Sequence, residues 1–219
     1  MTDQPHDFAA DLPRLFAAMD RRVTPLRAAA DPAAARRTWL ADRAQALLDG
    51  GFGPAEVDPV RVDNPTATPA IEHARRFLDQ RRLGILVLLG GTGCGKTTAG
   101  AFVAREKGGP SPGRIRATAL ERAGRYDREA ALWVQSRTLL VVDDLGVEFK
   151  DGKGAFLSLL DELIDVAHAN RRRIVLTANL TPAQLADRVE DRIWSRLSQS
   201  ALIAQCGSTD LRVEGRRAG

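Results

Sequence analysis

From residue 70 onward, apolar positions follow two alternating rhythms. Unbroken runs occur at LGILVLL (83–89), TLLVVD (138–143), RIVLTAN (173–179) and ALIAQC (201–206). Such short runs read as strands buried on both faces. Between them the spacing changes to three and four residues. Ile71, Ala74, Phe77 and Leu78 predict one helix, and Phe156, Leu160, Leu163, Ile164 and Ala167 another. A helix from Lys96 should stop at Gly108-Gly109, and a polar helical region should cover 119–136 after a short strand, RIRAT (114–118). One further helix is expected over 182–198. Its start is marked by Thr181 and Gln184 as a capping box, Pro182 in the first turn, and Leu180 with Leu185 as a staple. Strands alternating with helices predict an α/β fold, a five-stranded parallel sheet with helices on both faces.

The first 65 residues follow a different pattern. Phe8, Leu12, Leu15, Phe16 and Met19 share one helical face, and a second helix should run from Asp31-Pro32 to Gly50-Gly51, with Leu40, Ala44, Leu47 and Leu48 on one side. The stretch 52–69, with prolines at 54, 59, 65 and 69, reads as a linker or an extended wrap. The expected division is a small α-helical N-terminal extension (1–65), a possible site of partner docking, and a main domain (66–219).

Composition changes this picture little. The 44% hydrophobic and 27% charged content is ordinary for a soluble domain. The chain opens MTDQPHDF, which is no secretory signal, and its longest apolar run is too short to span a bilayer. Two cysteines, Cys94 and Cys206, make neither a disulfide framework nor a zinc set, so a reducing cytoplasm is expected. The net charge of +4 leans weakly towards a polyanion, but four lysines against 28 arginines can equally reflect base composition.

Chemistry enters directly after the first strand. GGTGCGKT, Gly90 to Thr97, satisfies G-x-x-x-x-G-K-[ST] in its required setting, a strand before and a helix after. Gly90, Gly91, Thr92, Gly93, Cys94, Gly95, Lys96, Thr97 and Thr98 are therefore the candidate nucleotide-binding residues, with Lys96 on the β- and γ-phosphates. Thr97 and Asp143 are the candidate Mg²⁺ residues. Asp143 and Asp144 end a strand built for burial, and two adjacent carboxylates need a cation opposite them. The expected cations are the metal and Lys96. Asp144 then stands where a carboxylate would orient the attacking water. It is one methylene shorter than glutamate, so slow turnover is expected. Asn179, at the end of RIVLTAN, is placed to touch the same water or the γ-phosphate; a plain turn residue is the alternative. On the 182–198 helix, Arg188, Arg192 and Arg196 follow at i, i+4 and i+8. A solvated face is the ordinary meaning of that spacing, and an arginine finger is the sharper one.

Taken in order, GGTGCGKT, LLVVDDLGVE, IVLTANL, EDRIWSRL and STDLR resemble AAA+ ATPases of the DnaC/IstB-like branch over about residues 70–212. The resemblance implies a P-loop ATPase using ATP and Mg²⁺ and assembling head to tail. Arg196, or Arg192 after it, would be the finger, and Asp144, Asn179 and Arg196 the catalytic set. It implies a helicase loader on single-stranded DNA with a replicative helicase as partner, or else a transposition helper with a transposase. Arg122, Arg125 and Tyr126 lie where such proteins grip single strands, and they join charge to a stacking surface; a salt-bridged surface helix is the alternative. The departures are a P-loop without its usual proline, no room for a full helical lid, no zinc cluster near the N-terminus, and no secure role for Arg212. A small-molecule kinase, and a module that holds ATP without hydrolysing it, are the readings from other classes.

Overall fold

The computed structural model describes residues 31–61, 63–80, 82–126, 128–146, 155–170 and 172–211. The predicted helix over Phe8–Met19 and the residue Arg212 lie outside them. The chain divides into two compact units, Met1–Trp39 and Leu40–Gly219.

Helix α1 (Pro32–Asp49) buries Ala44 and Leu47. The proline-rich stretch after it is more than a wrap. It forms α2 (Pro54–Val57) and a 3-10 turn (Asp58–Val60). Phe52, Val57 and Val60 enter one hydrophobic cluster with Leu47 and with residues of α3 (Pro69–Asp79) and α4 (Lys96–Lys107). Prolines at the first turns of α2 and of the 3-10 turn start helical structure, because a first-turn N–H has no intrahelical acceptor to lose.

The strands are β1 (Ile85–Leu89), β2 (Pro112–Arg116), β3 (Leu139–Leu145), β4 (Arg173–Ala178) and β5 (Ala201–Gln205). They pair in parallel in the order β2-β3-β4-β1-β5. β1 lies inside the sheet, and all five of its residues are buried. Successive side chains point to opposite faces. Leu86 and Leu88 meet α3 and α4, whereas Ile85, Val87 and Leu89 join the cluster formed with α7 (Ala155–Asn170) and the helices beyond β4. The sheet is therefore covered on both faces, as expected. Between β2 and β3 run α5 (Ala117–Tyr126) and α6 (Arg128–Ser136).

Two boundaries differ from the sequence pattern. β2 begins at Pro112, two residues earlier than RIRAT implies; as an edge strand it tolerates proline at its first position. The helix expected over 182–198 is two helices, α8 (Pro182–Ala186) and α9 (Asp191–Ser200). Arg188 falls in the break and does not extend the face carrying Arg192 and Arg196. Its Nη1 donates instead to the Gly146 carbonyl at 2.9 Å. No helix among the described residues is long and apolar enough to cross a membrane.

Candidate functional site

β1 leads straight into the glycine-rich loop, and the loop into α4. Gly90 has φ 148° and Gly93 φ 79°, conformations that L side chains rarely adopt. At Gly90 space excludes a side chain as well, and at Gly93 the Asp210 carboxylate would have to move. A Cβ on Gly90 would stand 2.5 Å from the Gly207 carbonyl oxygen, and one on Gly93 would stand 1.9 Å from Asp210 Oδ1. The segment after β5 lies along the loop, with Gly91 N–H donating to Gly207 O at 2.9 Å and Leu211 N–H to Gly93 O at 3.2 Å. Thr92 is exposed, Cys94 is buried, and Gly95, in the left-handed region at φ 89°, is the N-cap of α4, whose first turn holds Lys96, Thr97 and Thr98.

Lys96 is 6% exposed. Its ammonium donates to Gly90 O at 2.9 Å, Gly91 O at 2.7 Å and Asn179 Oδ1 at 2.8 Å. The loop and the exposed strand-end Asn179 thus meet at one cation. The sequence had placed Lys96 opposite the carboxylate pair; its ammonium makes no hydrogen bond or ion pair with Asp143 or Asp144. Asp143, 1% exposed, is held by other groups. Thr97 Oγ1 lies 3.1 and 3.2 Å from its two oxygens, and Thr177 donates to Oδ1 at 2.5 Å. Arg114, on the neighbouring strand, places Nε at 3.2 Å and Nη2 at 2.6 Å from Oδ2. Thr177, fully buried, also accepts from the Asp144 N–H at 3.1 Å. The two aspartates therefore differ sharply. Asp144 is exposed at φ 61°, where the β3–β4 register shifts between Val142 and Leu145. A non-glycine residue in that region is uncommon and costs energy, a feature concentrated at functional sites.

The donor set fits a metal–nucleotide pair. A hydroxyl and a carboxylate side by side are hard oxygen ligands suited to Mg²⁺. Beside them the N-terminus of α4 brings partial positive charge that favours an anion. Burial pushes the Cys206 thiol up to about 12, with Cys94 adding to the rise and Lys96 opposing it.

The arginines of α9 have partners within the chain. Arg196 Nη1 is 2.5 Å from Asp161 Oδ1 and its Nε 3.1 Å from Asp165 Oδ1, while Arg192 pairs with Asp161 Oδ2. On α5, Arg122 is exposed; Arg125 and Tyr126 continue the same helix, and their side chains lie outside the described ones. Sequence reasoning missed Arg114, Thr177 and Asp210. A charged residue inside a strand was the one available signal for Arg114. Thr177 looks like any strand threonine.

Sheet order, glycine loop and the carboxylate at the end of β3 together define an α/β P-loop fold of the AAA+ type. Within that class the fold is DnaC- and DnaA-like, as solved structures indicate. The DnaC helicase loader superposes with a TM-score of 0.55 at 18% identity, over 70% of this chain and 99% of that one. DnaI gives 0.52 at 22% identity, over 62% and 82%. DnaA from Aquifex aeolicus, solved with AMPPCP bound, gives 0.50 at 20% identity over 62% of this chain, which spans 44% of the DnaA chain. By sequence, no family model and no curated protein matches the chain.

Proposed function

We propose that this protein binds and hydrolyses ATP as an AAA+ switch acting on single-stranded DNA in the cytoplasm, in the manner of a DnaC-like loader of a replicative helicase. An IstB-like transposition helper is the alternative with a different client. The observation that carries the nucleotide reading is the convergence of Lys96, Thr97, Asp143 and Asn179 at the carboxyl ends of β1, β3 and β4. Ligands of open parallel sheets bind at such strand ends.

In this reading, residues 90–98 cradle the phosphates. Lys96 exchanges the Gly90, Gly91 and Asn179 oxygens for phosphate oxygens. Thr97 and Asp143 hold Mg²⁺, which when bound neutralises charge developing on the phosphates. Asp144 and Asn179 orient the attacking water, and Arg196 of a neighbouring subunit stabilises the transition-state charge. Arg122, Arg125 and Tyr126 contact the strand, and residues 1–65 dock the helicase. The pairing of Arg192 and Arg196 with Asp161 favours a second reading, a nucleotide-dependent module that does not share its site between subunits.

ATP turnover per protomer, measured over a range of protein concentrations with and without single-stranded DNA, separates the two. A rate that climbs with concentration, climbs further with DNA and is lost in Arg196→Ala supports the shared site. A rate flat in concentration and indifferent to DNA removes both the assembly and the DNA claims.

A further inference from the structure

Asp143 is 1% exposed, and Arg114, itself 14% exposed, brings positive charge against it. Both Nε and Nη2 of Arg114 converge on Oδ2, at 3.2 and 2.6 Å. Thr97 Oγ1, the other oxygen suited to the metal, lies 3.1 Å from Oδ1 and 3.2 Å from Oδ2. The guanidinium therefore holds one of the two carboxylate oxygens that a divalent cation beside Thr97 would face, while Thr177 donates to the other. Two cations cannot share one buried carboxylate oxygen without strong repulsion, which little solvent screens at this depth.

We infer that Arg114 is a metal-competing residue: it neutralises Asp143 in the metal-free protein and must release Oδ2 for Mg²⁺ to reach Thr97 and Asp143. This rests on the nucleotide reading above. Arg114 thereby sets how much Mg²⁺ the protein needs to take up nucleotide. The pair also explains how a strand built for burial accommodates Asp143 without metal, since a buried polar side chain is tolerated when it is paired and hydrogen-bonded. Arginine suits this role because its fork offers two donors to one carboxylate and it stays charged at any working pH.

The test is an Mg²⁺ titration of the full chain with a fluorescent, non-hydrolysable ATP analogue, reading binding and not turnover. Arg114→Met is compared with wild type and with Arg116→Met, which removes the same charge from an exposed residue of the same strand. The expected result is a fall in the Mg²⁺ midpoint of about tenfold or more in Arg114→Met, with Arg116→Met unchanged. Equal midpoints in wild type and Arg114→Met, with nucleotide bound in both, overturn the inference and leave the nucleotide reading standing. An equal fall in both variants overturns it in favour of a general charge effect. If wild type binds no nucleotide at saturating Mg²⁺, the nucleotide reading fails and takes this inference with it. Should Arg114→Met not fold, Arg114→Lys carries the test. Its single, strongly hydrated ammonium grips Oδ2 less well, so a smaller fall is expected, and a midpoint at or above that of wild type overturns the inference.

Discussion

Two charged regions among the described residues are organised differently. At the carboxyl end of the sheet, Lys96, Thr97, Asp143 and Asn179 converge from one helix and two strands, and each meets another site residue or the loop. On α9, Arg192 and Arg196 are engaged by Asp161 and Asp165 of α7. The first constellation follows from the sheet's own register and needs no second subunit. The second holds its arginines within the chain, so any action of Arg196 on a neighbour's phosphate requires it to leave these carboxylates. Burial sharpens the contrast. Asp143 is 1% exposed beside an arginine at 14%, whereas the Asp161 side chain, at 9%, has arginine partners at 61% and 34%.

The largest expected effect tests the first region. Lys96→Ala should lower ATP turnover about a thousandfold, the scale set by removing one preorganised phosphate-stabilising group, with the far-ultraviolet circular dichroism unchanged. Turnover within a few-fold of wild type would detach the loop from catalysis. Next comes stability. Asp143→Ala leaves Arg114 as a buried cation without its carboxylate and should cost about 3 kcal/mol in urea unfolding. Asp161→Ala releases arginines that water can reach and should cost only about 1 kcal/mol. Equal losses would erase the distinction between the regions. Asp144→Asn should cut turnover about 100-fold while moving stability by less than about 0.5 kcal/mol, because the residue is exposed and asparagine tolerates its φ of 61°. A variant as fast as wild type would remove Asp144 from the reaction.

What the sequence made legible was local. The apolar runs marked the strands, GGTGCGKT marked the loop, and the Thr181–Gln184 capping box is present as expected. Legibility failed where long-range geometry decided. Leu185, Val189, Ile193 and Leu197 keep a four-residue spacing that promises one continuous helix. All four are buried, yet the chain breaks between α8 and α9, with Glu190 in an extended conformation. Periodicity reports which residues are buried; it does not report whether one helix or two bury them. Likewise, the prolines of 52–69 announced irregular backbone but could not show that Phe52, Val57 and Val60 fill the space beside α4. Arg114 lies 29 residues from Asp143, and only the β2–β3 pairing brings them together. The glycine-rich turn from β1 into α4 was readable, whereas the cation facing Asp143 was not.

The smallest expected effect concerns the two thiols at the edge of the first region. Burial raises the Cys206 thiol to about 12, and Cys94 adds to the rise. An unfolded cysteine ionises near its ordinary value of about 8.5. The folded protein thus holds this proton where the unfolded chain releases it. Stability from this group is complete below the unfolded value and declines as the pH rises towards 12. Native protein at pH 8 should accordingly alkylate slowly at Cys206 and quickly once urea unfolds it, as peptide mass spectrometry after timed iodoacetamide treatment would show. Lys96 opposes the rise, so Lys96→Ala should make native Cys206 slightly less reactive. A native rate equal to the unfolded rate would mean that the segment after β5 leaves the loop readily, and the contacts of Gly207 and Leu211 would then be no fixed part of the site.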